Sequence, residues 1–130
     1  MQLTVGMTHT STLAVEQKHT AAAVGSGDLE VFATPMMAAL MEHAAAAAIR
    51  PALPDGKTSV GISLQIAHIS ATPVGMEVEA TATVTGVEGN RVEFAVTARD
   101  RKGEIGSGTH TRVIVDAARF LEKTAAKAAK

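Results

Sequence analysis

One uninterrupted segment of helix-forming residues constrains the fold of this 130-residue chain more than any other feature. The segment begins at Thr34-Pro35, where we expect Thr34 to cap the helix and Pro35 to be its first residue, and it runs through MMAALMEHAAAAAIR until Pro51 stops it. Apolar residues recur at helical spacing on one face, at Met37, Leu40, Met41, Ala44 and Ala48. Because the alanines make this helix thin and apolar, it must be buried closely against another layer of structure.

Alternating apolar residues predict the strands that would form this layer. A first strand is expected from about His9 to Lys18, and AAAVGSGDLEVF after it is expected to be a flexible loop because of its glycines. Four further strands are expected in SVGISLQIAHIS, MEVEATATV, RVEFAVTARD and EIGSGTHTRVIV, with Gly89-Asn90 and DRKGE as hairpin turns. In the first of these four, one face should carry Val60, Ile62, Leu64 and Ile66.

These elements predict an α+β fold, in which an antiparallel sheet of about five strands wraps around one long central helix. We expect a single domain over residues 1–130, with residues 116–130 forming an Ala/Lys-rich helical tail. A sheet of this kind leaves exposed edge strands, so a homodimer joined through an edge strand is expected.

Composition argues against several classes of protein. A formal net charge of −1 gives no general attraction for nucleic acid or an anionic membrane, so neither is expected as a partner. The chain has no cysteine, which excludes disulfides and thiolate chemistry and fits a cytoplasmic protein. No stretch is apolar enough to span a bilayer, and the N-terminal residues lack the features of a signal peptide.

Glu42 is the most informative candidate for chemistry. Its helix neighbours one turn away are all alanines, so no Lys or Arg on the same helix can pair with it. A partly desolvated carboxylate of this kind is suited to proton transfer or, when ionised, to nucleophilic attack. The alternative is that Glu42 simply points into water, as most acidic side chains do.

Thr34 and His68 are the other two candidates. Thr34 could merely cap the helix, but a hydroxyl at a helix N-terminus can also meet a substrate carbonyl or a developing oxyanion. Thr34 and Glu42 are separated by about 12 Å of helix rise and roughly 80° of rotation, so a third group or a second subunit must connect them. His68, near the end of the strand after the helix, is the natural bridging base, and its alternative is an ordinary half-exposed strand histidine.

The remaining histidines are weaker candidates. His9, His19, His43 and His110 show no metal-ligand spacing with another histidine or a pair of acids, so no metal site is expected. The glycines of IGSGTH are not followed by a lysine and a serine or threonine, which disfavours a phosphate-binding loop.

The segments VFATPMMAALMEHA, VGISLQIAHISATPVGMEVEATATV, GNRVEFAVTARD and EIGSGTHTRVIV together resemble the fluoroacetyl-CoA thioesterase group of the hotdog superfamily. The resemblance extends in order from about Glu30 to Val115. It implies the hotdog fold, a dimer with active sites at its interface, and an acyl-CoA substrate with no cofactor. It also implies that Thr34 in FAT, Glu42 in LME and His68 in AHISATP are catalytic.

The resemblance further implies that Gly61 and Arg112 line the site and that Arg112 helps to hold the CoA or acyl end. The lid segment before the helix departs from the pattern of the fluoroacetate-specific member, which is aromatic there. In AVGSGDLEVF the only aromatic residue is Phe32, which we include among the substrate-binding candidates. We therefore expect hydrolysis of a general or different short acyl-CoA. The alternatives are a hotdog acyl-CoA hydratase or dehydratase and a non-catalytic acyl-CoA binding protein.

Overall fold

The computed structural model describes residues 2–129 of the chain. Its strands are β1 (Thr8–Ala14), β2 (Lys57–His68), β3 (Glu77–Glu88), β4 (Arg91–Asp100) and β5 (Gly103–Asp116). Its α-helices are α1 (Ala21–Val24), α2 (Thr34–Ile49) and α3 (Ala117–Ala125), and single 3-10 turns cover Gln17–His19, Arg50–Ala52 and Ala126–Ala128.

The five strands form one sheet in the order β1-β3-β4-β5-β2, and every neighbouring pair is antiparallel. Tight turns join β3 to β4 at Gly89-Asn90 and β4 to β5 at Arg101-Lys102, as the sequence predicted. The predicted α+β architecture of a five-stranded antiparallel sheet and one long helix is therefore confirmed. Strands β1 and β2 are the two edges of the sheet within one chain.

The core lies between α2 and one face of the sheet. All five apolar residues predicted for the inner face of α2 are buried, together with Ala45 and Ile49. The facing strands contribute every second residue, at Val78, Ala80, Ala82 and Val84 of β3 and at Val92, Phe94, Val96 and Ala98 of β4. Small side chains on both layers let the helix approach the strands closely, as the alanine-rich sequence predicted.

Two glycines of β5 lie in close contacts, one with α2 and the other with β2. A Cβ added at Gly106 would lie 2.7 Å from Met37 Sδ on α2, and one at Gly108 would clash with the backbone oxygen of Gln65. Only glycine therefore fits at these two positions, and the close pairing of β5 with β2 depends on them.

Strand β2 contains an irregularity that the alternating sequence did not reveal. The pairing with β5 shifts between Gly61 and Ser63, so Ile62 is an extra residue in a β-bulge. As a result Ile62 is 51% exposed. The prediction that Ile62 shares an inward face with Leu64 was therefore wrong. The bulge directs Gly61 toward α2, where its Cα faces Glu42.

The first strand is shorter than predicted and the following loop is more ordered. β1 ends at Ala14, because Glu16 caps the 3-10 turn that contains Lys18. The segment predicted as a loop begins with the short helix α1, which ends at Gly25 with a φ of 83°, and continues to an antiparallel bridge between Val31 and Pro73. The prediction of a wholly irregular lead-in to α2 was wrong.

Hydrogen bonds fasten this lead-in to the loop that follows β2. The N–H of Phe32 donates to Thr72 O at 2.9 Å, and the buried Thr72 hydroxyl donates to Asp100 Oδ2 at 2.8 Å. The N–H of Lys102 donates to the second Asp100 oxygen at 2.9 Å. Asp100 therefore ties the β4–β5 turn to both segments that flank the N-terminus of α2.

The C-terminal part of the chain forms the surface helix α3. Its N-cap is Asp116, whose carboxylate accepts a hydrogen bond from the N–H of Arg119 at 3.0 Å. None of its residues is buried, in line with the predicted tail. Within residues 2–129, no helix combines the length and apolar character needed to cross a membrane.

Candidate active site

Thr34 and His68 form a hydrogen-bonded pair at the N-terminus of α2. The distance between Thr34 Oγ1 and His68 Nδ1 is 2.8 Å. Thr34 is the first residue of α2 and His68 is the last residue of β2, so two regular elements position this pair. The structure thus brings together two of the three predicted catalytic side chains.

The hydroxyl of Thr34 does not cap the helix, contrary to the sequence prediction. The N-cap is Ala33, whose carbonyl accepts the first helical hydrogen bonds, from Met36 and Met37 at 3.0 Å. The difference is one residue, and its consequence is that the Thr34 side chain is held by His68 instead. A hydroxyl in this position lies at the positive end of the helix dipole without being used by the helix itself.

The Thr34–His68 pair opens on a cavity of about 260 Å³. Phe32 forms one wall and packs edge-on against the His68 ring, with centroids 6.3 Å apart and planes at 79°. Phe32 is only 1% exposed, so its ring forms a fixed wall of the cavity and is not a lid over its mouth. The rest of the lining is small or aliphatic, namely Ala21, Ser26, Val31, Ile69, Ser70 and Ala71.

The surroundings of His68 favour the neutral form of its ring. Burial lowers the pKa of His68 from its ordinary value of 6.5, and the backbone of Ser70 opposes this effect. The ring is therefore uncharged at neutral pH. Its Nε2 atom is buried and has no hydrogen-bond partner among the described residues. Buried polar atoms without a hydrogen-bond partner are rare in folded proteins and are often found at functional sites.

Glu42 lies in a second group of side chains, further along α2 from Thr34 and on a different side of the helix. Its Oε2 is 3.9 Å from Nη1 of Arg112, and the Glu42 side chain is 44% exposed whereas that of Arg112 is 10% exposed. Gly61 of β2 lies between them, because a Cβ at this position would be 2.8 Å from Glu42 Oε2 and 3.4 Å from Arg112 Nη1. A counter-charge for Glu42 thus exists, although it comes from β5 and not from the helix.

His110, one of the weaker candidates in the sequence, lies beside this second group. It is 2% exposed, stacks on Phe94 at 5.8 Å, and its ring lies beside Gly61, Glu42 and Arg112. The signal in the sequence was that His110 and Arg112 are two residues apart in a strand and so share one face. That face is the one against α2.

Within one chain the structure does not bring Glu42 to the Thr34–His68 pair. Thr34, His68 and Phe32 form the first group, and Glu42, Gly61 and Arg112 form the second, with His110 beside them. His68 therefore does not bridge Thr34 and Glu42 as a single-chain reading would require. Among residues 2–129 there is also no cluster of three or more histidines and acids that could hold a metal ion.

Solved structures share both the fold and the length of this chain. Crystal structures of the fluoroacetyl-CoA thioesterase align with a TM-score of 0.91 at 35% identity, covering 98% of each chain. A thioesterase superfamily member from Thermus thermophilus aligns with a TM-score of 0.86 at 28% identity, covering 93% of this chain and 90% of that one. The class defined by this fold and site is the hotdog-fold thioesterases.

Sequence comparison identifies the family within this class. The profile of the fluoroacetyl-CoA-specific thioesterase family matches residues 15–118. The fluoroacetyl-CoA thioesterase of Streptantibioticus cattleyicolor is 43% identical over 98 residues, which are 75% of this chain and 70% of that protein. The chain belongs to the fluoroacetyl-CoA-specific thioesterase family and is a thioester hydrolase.

Proposed function

We propose that this protein hydrolyses short acyl-CoA thioesters to the free acid and CoA. The observation that carries the proposal is the Thr34–His68 pair, with 2.8 Å between Oγ1 and Nδ1, at the mouth of a small cavity. Relatives of the same family have been solved with acetyl-CoA and with fluoroacetate and CoA together, which supports the substrate class.

The proposed roles follow from what each side chain can do. Thr34 orients the thioester carbonyl and donates a hydrogen bond to the oxyanion, and the neutral His68 shuttles a proton. Glu42 acts either as the base for a water molecule or as the nucleophile that forms an acyl intermediate, and water then hydrolyses that intermediate. In both routes the oxygen of water ends on the acyl carbon, the C–S bond breaks, and the CoA sulfur takes a proton.

We further propose a homodimer in which Glu42 of one subunit works with the Thr34–His68 pair of the other. Support comes from the separation of the two groups along α2 within one chain. The edge strand β2 ends at His68 and carries the bulge at Gly61, so pairing through this edge would place both groups near a second copy.

Mixing two inactive variants tests this arrangement. If each site takes Glu42 from one subunit and His68 from the other, a mixed dimer of Glu42→Gln and His68→Ala contains one intact site. Refolding an equal mixture would then recover about a quarter of wild-type activity, because half of the dimers are mixed. If each site lies within one chain, no activity returns, and a sedimentation mass equal to one chain would remove the dimer altogether.

The reaction itself is tested by release of free thiol from a panel of short acyl-CoAs. Hydrolysis releases CoA thiol, whereas hydration of the acyl group or simple binding does not. We expect Glu42→Gln to lower turnover by several orders of magnitude while the protein remains folded. Turnover at the wild-type rate in this variant would contradict the assignment of Glu42.

The lining of the cavity bears on the acyl group. Phe32 is the only aromatic residue in the lining, and its ring is already packed against His68. We propose a general short-acyl specificity, for which acetyl-CoA and fluoroacetyl-CoA would be hydrolysed with similar kcat/KM. A strong preference for the fluorinated substrate would contradict this proposal.

We also propose that the enzyme needs no cofactor and acts in the cytoplasm on its CoA substrate, without nucleic acid or membrane partners. Thioester hydrolysis requires only water besides the substrate, and the three proposed side chains supply the proton transfers. Activity should therefore survive dialysis against a metal chelator, and loss of activity that is restored by a metal ion would refute the proposal.

A further inference from the structure

His110 makes contacts that the proposed reaction does not account for. It is one of the largest fully buried side chains in the molecule, yet both of its ring nitrogens have polar partners. Nδ1 lies 2.8 Å from the backbone oxygen of Ser63, at the bulge of β2. Nε2 lies 3.2 Å from Nη1 of Arg112.

These partners fix the protonation state of the ring. A carbonyl oxygen can only accept, so Nδ1 carries the proton, and a guanidinium can only donate, so Nε2 carries none. His110 is therefore the neutral Nδ1–H tautomer. Burial and the charge of Arg112 lower the pKa of His110, while the Ser63 carbonyl and Glu42 oppose this shift.

The guanidinium of Arg112 is held at three points. Its Nε donates to Ser59 Oγ at 2.8 Å, its Nη2 donates to Ser59 O at 2.9 Å, and its Nη1 donates to His110 Nε2. Glu42 is the charged partner of the same Nη1, but at 3.9 Å it is beyond hydrogen-bond distance. Nη1 has two N–H groups and His110 Nε2 accepts one of them, so the imidazole and Ser59 together fix the guanidinium at this distance from Glu42.

The fixed position of Arg112 has a consequence for Glu42. A direct guanidinium–carboxylate hydrogen bond would occupy carboxylate lone pairs and make the oxygen a weaker base and nucleophile. With Nη1 of Arg112 held at 3.9 Å, Oε2 of Glu42 remains available and its side chain is 44% exposed. We propose that His110 is a positioning residue, whose unprotonated Nε2 accepts one N–H of Nη1 and thereby, with Ser59, holds Arg112 at 3.9 Å from Glu42. The inference rests on the proposed role of Glu42.

Two substitutions separate this role from simple packing. His110→Asn can keep the N–H to Ser63 O but has no atom at the position of Nε2. His110→Gln can place an oxygen near the position of Nε2 but loses the N–H to Ser63. If acceptance from Arg112 is the essential role, the glutamine variant keeps its activity and the asparagine variant does not.

We expect kcat of His110→Asn to fall about 10- to 100-fold with KM within about twofold, as for a misplaced catalytic group. His110→Gln should retain kcat within a few-fold, with both variants melting within a few degrees of each other. Equal kcat in the two variants, or a higher kcat in His110→Asn, would overturn the proposal.

A measurement on the wild-type protein covers the case in which a variant does not fold. The ¹⁵N shifts of the His110 ring at pH 7 should be those of the neutral Nδ1–H tautomer, and an imidazolium or Nε2–H ring would refute the inference.

Glu42→Gln, measured by release of CoA thiol beside the His110 variants, separates the two proposals. If that variant is active, the proposed role of Glu42 fails, whereas an inactive Glu42→Gln beside a fully active His110→Asn removes only the role of His110.

Discussion

Gly61→Ala should reduce activity far more than stability. A methyl group at this position would lie 2.8 Å from Glu42 Oε2 and 3.0 Å from His110 Cε1. His110 and Arg112 are buried and held by hydrogen bonds, whereas Glu42 is 44% exposed, so the carboxylate is the group that can move. To reach ordinary van der Waals contact it must shift by about 0.6 Å, away from Arg112.

The expected size of the effect follows from this shift. A misplacement of about 1 Å can cost 10²-fold in rate, so we expect kcat to fall about 10- to 100-fold. Movement of Glu42 relieves the closer contact, but the 3.0 Å contact with the buried His110 remains, so the melting temperature should fall by about 4 °C.

The assay is CoA thiol release over a range of substrate concentrations, with thermal melting on the same samples. Gly86→Ala is the matched control, since Gly86 also lies at a β-bulge and a methyl group there would contact only the exposed Glu93. We expect this control to keep wild-type kcat. If Gly61→Ala also keeps it, the close approach of Gly61 to Glu42 has no role in turnover and the reasoning is refuted.

Gly108→Ala should destabilise the fold by about 3 kcal/mol or more, because the new methyl group meets the fixed backbone of Gln65, and denaturant unfolding would show this as a lower midpoint. Thr34→Val should lower kcat about 10²- to 10³-fold with little change in melting temperature, since the hydroxyl does not cap α2, while Thr34→Ser should remain active. Burial raises the pKa of Asp100, but the hydrogen bonds to its carboxylate lower the pKa by more than burial raises it, so the net pKa lies below the ordinary 3.8. The stability that this depressed pKa contributes is present above pH 3.8 and is lost as the pH falls through the lower folded value, so Asp100→Asn should melt below wild type at pH 7 and approach it at pH 3.

Periodicity in the sequence was sufficient to predict the architecture. The buried face of α2 was predicted residue by residue, and β3 and β4 were predicted as alternating strands, because burial on one side leaves a regular pattern of 3.6 or 2. Errors occurred where one residue changes the pattern. The bulge at Ile62 turned an expected core residue outward, and the position of the N-cap at Ala33 left the Thr34 side chain free of a capping role.

The candidate site was predictable only in part, because its contacts join distant parts of the chain. Helix neighbours showed that Glu42 has no local counter-charge, but nothing in the local sequence showed that Arg112 of β5 approaches it. The contacts of His110 could not be predicted for the same reason, since they depend on pairing between β2 and β5. Spacing along α2 did predict that Thr34 and Glu42 could not meet within one helix, and the structure keeps them in separate groups.

The shortage of large side chains connects the fold to the chemistry. Aromatic residues make up 2% of the chain, and alanines and glycines occupy the contact between α2 and the sheet. That close contact is what places Gly61, His110 and Arg112 against a carboxylate carried by the helix. A bulkier core would separate the helix from β2 and β5 and would widen the gap between Glu42 and Arg112. Packing density in this protein therefore sets the electrostatic environment of Glu42 as well as the stability of the fold, because both depend on the same distance between helix and sheet.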